Sequence, residues 1–295
     1  MTKPTTVREF FKLYPDDESC LAHLFDVRFG QGHVCPKCSR SARWYPIKAD
    51  AAFSCQWCGH HIHPKAGTLF EKSRTPLQLW FYAVFLFTKT RHGVSAKELE
   101  RQLGVTYKCA FRMARKIRKH MAAVEGDEPV GGPGEIVEID EAYVGGVVEM
   151  QHRNSAKAIV IGMVERGEGG RVSAEVIPDV LRATMHEAVE DNVEKGTEIH
   201  ADMHRGYDHL DKKGYTLRRI NKERLGRYVT DSGVTVNAVE NFWRHLKCSI
   251  QGTHVSVSPE YLETYVKEFQ FRFNRRMTPN QMLSELLTRF PELDA

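Results

Sequence analysis

Four cysteines constrain the fold of this chain more than any other feature, because their spacing ties together the two ends of a short segment. "CPKC" at 35–38 and "CQWC" at 55–58 form a C-x2-C-x16-C-x2-C pattern. Each C-x2-C pair makes a tight turn whose sulfur atoms face one ion, and two pairs complete a tetrahedral thiolate site that selects zinc. The residues between the pairs bury little apolar surface, so bound metal would supply folding free energy. We predict a structural zinc ribbon; four free or redox-active cysteines are the alternative. The predicted ligands are Cys35, Cys38, Cys55 and Cys58.

Charge is distributed unevenly over the 295 residues, although the net charge is only +4. Residues 1–120 contain 21 Lys and Arg against 9 Asp and Glu, whereas residues 121–295 contain 21 against 29. The basic part suits a polyanionic partner such as nucleic acid, and the acidic part could hold divalent cations.

The longest apolar stretch, "LQLWFYAVFLF" at 77–87, is shorter than the ~18 residues of a membrane span, so we expect a buried helix there. The N-terminal residues are polar and charged, which predicts no secretory signal. Seven cysteines without such a signal argue against a disulfide scaffold, and we expect a reducing cytoplasmic location.

Composition and periodicity divide the chain into five segments. The segment "EGDEPVGGPGE" is acidic and rich in Gly and Pro, which is typical of a boundary. After it, three β-rich runs precede a helical run, a short strand, another strand near 215–220 and a helical C-terminus. This order predicts an α/β domain built in layers. The predicted segments are an N-terminal helical segment (1–30), the zinc ribbon (31–72), a helix-turn-helix region (73–124), a linker (125–135) and a catalytic domain (136–290).

The stretch "VSAKELERQLGVTYKCAFRMARKIRKHM" at 94–121 has the pattern of a helix-turn-helix. Ser95 can cap a first helix, with Glu98 closing a capping box, and Gly104 stands where the helix should end. Thr106 can cap a second, strongly basic helix, and this combination is typical of DNA binding. A basic helix pair that merely packs on the core is the alternative. The predicted DNA contacts here are Tyr107, Lys108, Arg112, Arg115 and Lys116.

The second half of the chain offers several carboxylates for metal-dependent phosphoryl transfer. "EIVEIDEAYVGG" at 135–146 carries Glu138, Asp140 and Glu141; strand alternation places the first two on one face and Glu141 on the other. Alternation alone does not choose between the faces. Asp202 ends a later strand, and Glu240 lies on a predicted helix. The apolar stripe of that helix is formed by Val236, Val239, Trp243, Leu246 and Ile250. For Glu240 alone, surface pairing with Arg244 at i+4 is the favoured interpretation.

From about residue 8 to 285, the chain resembles transposases of the IS1595 family of the ISXO2-like type. The resemblance rests on "CPKC…CQWCG", "GTLFEKSRTPLQLWFYAVFLFT", "VSAKELERQLGVTYKCAFRMARKIR", "VEIDEAYVGG", "NAVENFWRHLK" and "YLETYVKEFQFRFNRR". It implies an RNase H-like catalytic domain of the DDE class, preceded by a zinc ribbon and a helix-turn-helix. It also selects Asp140, Asp202 and Glu240 as the acids, while Asn237 and Asn241 remain possible additional ligands.

The resemblance implies an enzyme of mobile elements that uses two Mg²⁺ or Mn²⁺ ions for DNA cleavage and strand transfer. Its expected partners are terminal inverted repeats, target DNA and further copies of the chain, in the bacterial cytoplasm with no membrane. A catalytically inactive DNA-binding regulator and a simple metal-dependent nuclease are the alternatives. Further phosphate contacts are expected from Arg244, Lys247, Arg272, Arg275 and Arg276.

Overall fold

The computed structural model describes residues 5–144 and 157–291. The chain divides into two compact units. The first comprises Met1–Thr90, Val94–Val124 and Thr278–Ala295, and the second comprises Arg91–Gly93 and Glu125–Met277. The C-terminal residues from 278 onward therefore group with the N-terminal half of the chain.

The first unit contains a small antiparallel sheet and a set of helices. The sheet has the order β1-β2-β3, formed by Trp44–Ile47, Ala52–Cys55 and His61–Ile62. Among the described residues, the α-helices that accompany it are α1 (Val7–Leu13), α2 (Asp17–Arg28), α3 (Leu77–Lys89), α4 (Ala96–Leu103), α5 (Tyr107–Glu125, whose last residue belongs to the second unit) and α10 (Met282–Thr288).

Helix α3 is the buried helix predicted from its apolar run. Eight of its residues are buried, among them Trp80, Phe81 and Phe85. Within the described part of the chain, no helix combines the length and the apolar character needed to cross a membrane. Helix α10 is joined to α2 by a hydrogen bond between His23 Nε2 and the carbonyl of Leu287, at 2.9 Å.

Helices α4 and α5 form as the capping pattern predicts, with one exception. The Ser95 side chain accepts a hydrogen bond from the Glu98 N–H at 3.1 Å, and Gly104 ends α4 in the left-handed region at φ +64°. Thr106 Oγ1 accepts from the Cys109 N–H at 3.3 Å. The Glu98 carboxylate, however, binds Arg101 and Gln102 rather than closing a capping box.

The second unit is an α/β domain around a mixed five-stranded sheet of order β6-β5-β4-β7-β8. Strand β5 pairs antiparallel with both β4 and β6. Strand β7 pairs parallel with β4, and β8 pairs parallel with β7. The strands are β4 (Ile136–Val144), β5 (Ala158–Glu165), β6 (Val172–Ile177), β7 (Glu198–Ala201) and β8 (Thr216–Arg219). The helices are α6 (Arg182–Asn192), α7 (Lys222–Leu225), α8 (Asn237–Ser249) and α9 (Pro259–Asn274).

The two faces of this sheet are covered by different helices, and alternation along each strand decides which side chains face which helix. On β4, Val137 and Ile139 pack into a cluster with α6 residues such as Met185. Ala142 and Val144 pack into a second cluster with residues of α8 and α9. The layered α/β arrangement predicted from the sequence is confirmed, and even-numbered residues of β4 face α8.

Candidate functional site

The four predicted zinc ligands converge in the first unit. Their sulfur atoms all lie within 4.8 Å of one another. The Sγ atoms of Cys35 and Cys58 are 3.6 Å apart, and those of Cys38 and Cys55 are 3.9 Å apart. Four thiolates at about 2.3 Å around one zinc ion would be about 3.8 Å apart, whereas a disulfide needs about 2.05 Å. The cluster therefore fits a tetrahedral zinc ion.

Two tight turns bring these cysteines together. The N–H of Ser39 donates to the carbonyl of Cys35 at 2.8 Å, and the N–H of Gly59 donates to that of Cys55 at 3.0 Å. Ser39 and Gly59 both have positive φ, which closes each turn. Burial acts to raise the pKa of Cys35, but nearby N–H groups and thiols outweigh it and lower the pKa to about 7. At Cys58 the His60 N–H acts to lower the pKa, but burial and the neighbouring thiols raise it to about 11. The cluster therefore shares its protons unequally, and a bound cation would favour the thiolate form of all four.

In the second unit, Asp140 and Asp202 come from neighbouring strands and interact electrostatically. Strands β4 and β7 are parallel, and their pairing runs to Glu138 and His200. Asp140 lies two residues beyond Glu138, and Asp202 two residues beyond His200, directly after β7. The carboxyl ends of parallel neighbouring strands are where side chains from different strands converge on one ligand.

Asp140 is half-buried and fixed by a tryptophan from α8. Its Oδ2 accepts a hydrogen bond from Trp243 Nε1 at 3.0 Å. Burial, followed by the charges of Glu141 and Asp202, raises the pKa of Asp140 to about 7, and the Trp243 bond opposes this rise. A bound cation would stabilise the charged form of such a carboxylate, because the cation offsets both the cost of burial and the repulsion from neighbouring acids.

The position opposite Asp140 on β5 is Gly162, and it leaves space for the Trp243 ring. A Cβ atom at Gly162 would lie 2.7 Å from two atoms of that ring. Real Cβ atoms do not approach that closely, so the ring could not occupy its present place beside any other residue. Gly162 thus permits the contact that orients Asp140.

Glu141 and Asp202 each accept a hydrogen bond from the segment after β7. Glu141 Oε2 accepts a hydrogen bond from the buried Tyr207 hydroxyl at 2.6 Å. Asp202 Oδ1 accepts from the His204 N–H at 2.8 Å. Burial, followed by the charge of Glu141, raises the pKa of Tyr207 well above its ordinary value, so Tyr207 stays a hydrogen-bond donor.

Glu240 lies in the first turn of α8, one helical turn before Trp243. Its carboxylate forms an ion pair with Lys222 of α7 rather than with Arg244. The charge of Lys222 also opposes the rise in the pKa of Asp140. Lys222 therefore acts on the first and the third predicted acids together.

Glu138 anchors the helix that carries Glu240. It is 1 % exposed, and its Oε2 accepts from the N–H groups of Ala238 at 2.6 Å and Val239 at 3.3 Å. These groups are among those left without partners at a helix N-terminus. Burial raises the pKa of Glu138, whereas those two N–H groups and Arg166 oppose the rise. One strand thus supplies both Asp140 and the cap of the helix facing it.

Comparison with known proteins identifies both parts of the chain. The family described as ISXO2-like transposase domain matches residues 132–274, and the transposase zinc-ribbon domain matches residues 15–61. The chain combines an ISXO2-like transposase domain with a transposase zinc ribbon. The transposase domain contains Asp140, Asp202 and Glu240, and the zinc-ribbon match contains all four clustered cysteines.

Two relatives agree with this assignment. An uncharacterized protein in transposable element ISH50 of Halobacterium salinarum is 27 % identical over 271 residues, covering 84 % of this chain and 88 % of the relative. An uncharacterized transposase-like protein of Haemophilus influenzae is 29 % identical over 112 residues, covering 38 % of this chain and 88 % of the relative.

The three predicted acids of the transposase domain are not all gathered at one point. Among the described residues, the four-cysteine cluster is the only group of three or more His, Cys, Asp or Glu whose ligand atoms lie within 4.8 Å of one another. Asp140 and Asp202 interact electrostatically, whereas the Glu240 carboxylate forms an ion pair with Lys222.

The structure separates the predicted DNA contacts into exposed and internal side chains. Tyr107, Lys108, Arg112 and Arg115 are exposed on α5, and Arg244 and Lys247 are exposed on α8. By contrast, Lys116 Nζ donates to the carbonyls of Leu69 and Glu71, both at 3.2 Å.

The three predicted contacts of α9 and its C-terminal end also have internal partners. Arg272 is 7 % exposed and pairs with Glu268 at 2.8 Å. Arg275 pairs with Glu125, and the Arg276 guanidinium lies 4.0 Å from the Phe273 ring centroid. These arginines contribute to the packing of the second unit.

Sequence reasoning missed the roles of Glu138, Gly162, Lys222 and Trp243. Trp243 was assigned to an apolar stripe, which is correct for its ring, but its N–H donates to a residue 103 positions away. A buried glutamate in a strand is costly without a partner, and that signal could have indicated a capping role for Glu138.

Proposed function

We propose that this chain is a DNA transposase with an RNase H-like catalytic domain of the DDE class. It binds the terminal inverted repeats of an insertion sequence and carries out metal-dependent cleavage and strand transfer. The observation that carries the proposal is that Asp140, in the middle of β4, interacts electrostatically with Asp202, which directly follows the parallel neighbour β7. Both lie in the transposase domain, and Asp140 contacts the helix that bears Glu240.

Asp140, Asp202 and Glu240 fit the donor set of a two-Mg²⁺ or two-Mn²⁺ site, because hard divalent ions prefer carboxylate oxygens. Two ions about 4 Å apart, each bound at about 2.1 Å, let the outermost ligand atoms lie up to about 8 Å apart. The three acids therefore need not gather at one point. When bound, divalent ions would activate the attacking oxygen and stabilise the leaving oxygen.

The reaction has two steps in this proposal. Water attacks a phosphodiester at the element's end, one P–O bond breaks, and a 3′-hydroxyl is freed. That hydroxyl then attacks a phosphorus of target DNA, forming a new P–O bond while the target's own 3′-oxygen leaves. Trp243 holds the Asp140 carboxylate in place for both steps. Lys222 must release Glu240 if that carboxylate is to become a ligand.

DNA is held by surfaces outside the carboxylate site. Tyr107, Lys108, Arg112 and Arg115 lie on the exposed face of α5 and would contact a groove or its phosphates. Arg244 and Lys247 follow Glu240 on α8 and would hold the backbone beside the reacting strand. Two element ends must be joined, so a dimer or larger assembly on DNA is expected. Binding should weaken as salt concentration rises.

A strand-transfer assay on the DNA that borders the gene tests this proposal. Purified protein is incubated with that DNA, a target plasmid and Mg²⁺ or Mn²⁺. Joined products from the wild type, and none from Asp140→Asn, are expected. Cleavage without joining would reject the transposase and support a simple nuclease. Specific binding without cleavage under either metal would support a DNA-binding regulator instead.

A further inference from the structure

A cavity of about 600 Å³ lies within the second unit and shares two elements with the carboxylate site. Its walls come from the end of β5 and the residues after it, the N-terminal half of α8, the C-terminal half of α9 and the segment Arg91–His92. Glu138 of β4 also lines it. Volumes of about 300–1,000 Å³ are typical of sites for small molecules and cofactors.

The lining carries an excess of positive charge. Four arginines, Arg91, Arg166, Arg272 and Arg276, face two glutamates. Both glutamates are already neutralised or hydrogen-bonded within the wall: Glu138 caps α8, and Glu165 pairs with Arg171 at 3.1 Å.

Arg272 is balanced by Glu268, and Arg166 by Glu138 at 3.7 Å, which leaves Arg91 and Arg276 as the main sources of positive potential inside. Burial, followed by the charges of Arg244, Arg91 and His92, lowers the pKa of His245, which also lines the cavity. Arg91 and His92 are therefore close enough to His245 to act on it.

The cavity also presents hydrogen-bonding groups and an apolar surface. The amides of Asn237 and Asn241 line it from the first turns of α8. His92 Nδ1 is buried and has no hydrogen-bond partner in the described part of the chain. Phe269 and Phe273 supply apolar area. A buried polar atom without a partner in the protein can hydrogen-bond to a molecule in the cavity.

We propose that this cavity binds a phosphate group of the DNA, with the attached nucleoside against the apolar wall. This inference rests on the proposed function and deepens it. Glu138 lines the cavity, and Asp140 follows two residues later on β4, about 7 Å away by strand rise. A phosphate held there would fix the DNA strand beside the candidate acids. Asn237 and Asn241 then serve the DNA and not the metal ions.

The first test measures the binding of deoxyadenosine monophosphate to the full chain, without added divalent ions, by isothermal titration calorimetry. Deoxyadenosine, which lacks the phosphate, should bind at least tenfold more weakly. Arg91→Gln and Arg276→Gln should each weaken binding of the monophosphate by about tenfold, because each removes a charge-assisted contact. Lys212→Gln is the matched control, since Lys212 is exposed and does not line the cavity.

The exposed position of Arg91 keeps this test independent of folding, because its side chain can be changed without disturbing the core. Equal binding of the monophosphate and the nucleoside, or undiminished binding by Arg91→Gln, would overturn the proposal. Asp140→Asn should bind the monophosphate as the wild type does. If the strand-transfer assay fails but the monophosphate still binds, the proposed function is rejected and the cavity is still supported as a phosphate site.

The second test distinguishes the two sources of the phosphate. The affinities of the protein for oligonucleotides of about twelve nucleotides, with either a 5′-phosphate or a 5′-hydroxyl, are compared by fluorescence anisotropy. Tighter binding of the phosphorylated form identifies a terminal phosphate, and equal binding identifies an internal one. In either case, Arg91→Gln must weaken the binding more than Lys212→Gln does; equal effects of the two variants would contradict the cavity site.

Discussion

At the scale of single residues, the orientation of Asp140 depends on a glycine that it faces across the sheet. Gly162 admits the Trp243 ring, and the ring carries the N–H that binds the Asp140 carboxylate. The buried stripe of Val236, Val239 and Trp243 follows from helical periodicity and is confirmed. The hydrogen bond could not be predicted, because its partners are 103 residues apart and periodicity describes neighbours only.

Gly162→Ala should lower the free energy of unfolding by about 1–3 kcal/mol, because the new methyl group forces the Trp243 ring to move. Urea denaturation measures the loss, and the tryptophan emission spectrum should shift as the indole leaves Asp140. Gly252→Ala is the matched control, since nothing lies within 4 Å of the Cβ it would add. A Gly162→Ala variant as stable as the control would refute the packing argument.

At the scale of elements, the position of α8 depends on a carboxylate from the neighbouring strand. Helix α8 has no side-chain cap of its own at Val236, and Glu138 supplies the acceptor instead. The sequence predicted both the strand and the helix from their periodicity, and placed Glu138 on the same face as Asp140. It could not predict the cap, because the two elements meet only after the sheet forms.

Glu138→Ala should destabilise the protein by about 2 kcal/mol, because it leaves buried N–H groups of α8 without an acceptor. Glu138→Gln should cost less, since its amide oxygen can still accept. Chemical denaturation compares the two with Glu135→Ala, an exposed position just before β4. Equal stability of the alanine and glutamine variants would contradict the capping role.

Helix α5 contains a buried histidine that makes the first unit sensitive to acid. His120 Nε2 donates to the Leu286 carbonyl at 2.9 Å, and burial lowers the pKa of His120. The unfolded chain therefore binds more protons than the folded chain around and below pH 6.5, so stability falls as the pH drops through that range.

The matched variant His120→Gln retains a donor for the Leu286 carbonyl but does not titrate. Wild-type protein should lose more stability than this variant between pH 7 and pH 5, as measured by thermal unfolding at each pH. Parallel pH curves for the two proteins would show that His120 does not contribute.

At the scale of the whole molecule, the candidate site of the first unit could be predicted from the sequence more completely than that of the second. The cysteine cluster was predicted in full, because two local C-x2-C turns and one small sheet are enough to bring four sulfur atoms together. The candidate acids come from β4, from the end of β7 and from α8, so their arrangement depends on the whole sheet. The ion pair between Lys222 and Glu240 has no local sequence signal, whereas pairing of Glu240 with Arg244 was the simple expectation.

Zinc removal should destabilise the first unit, because the small sheet around the cysteines has little apolar core of its own. Elemental analysis should find one zinc ion per chain, and Cys35→Ser should lose it and lower the unfolding temperature. Cys248→Ser is the control, because Cys248 is exposed and outside the cluster. Full stability of the metal-free Cys35→Ser variant would rule out a structural zinc ion.

The central claim is that Asp140, Asp202 and Glu240 carry the chemistry, and the joining of a precleaved element end to target DNA tests it most directly. Single-turnover rates are measured with Mn²⁺, alongside DNA-end binding for every variant. Asp140→Asn, Asp202→Asn and Glu240→Gln should each lose joining by about a thousandfold while retaining DNA binding, because each removes a metal ligand. Glu141→Gln, whose carboxylate binds Tyr207, should remain within about tenfold of the wild type. Joining at the wild-type rate by Asp140→Asn would contradict the account.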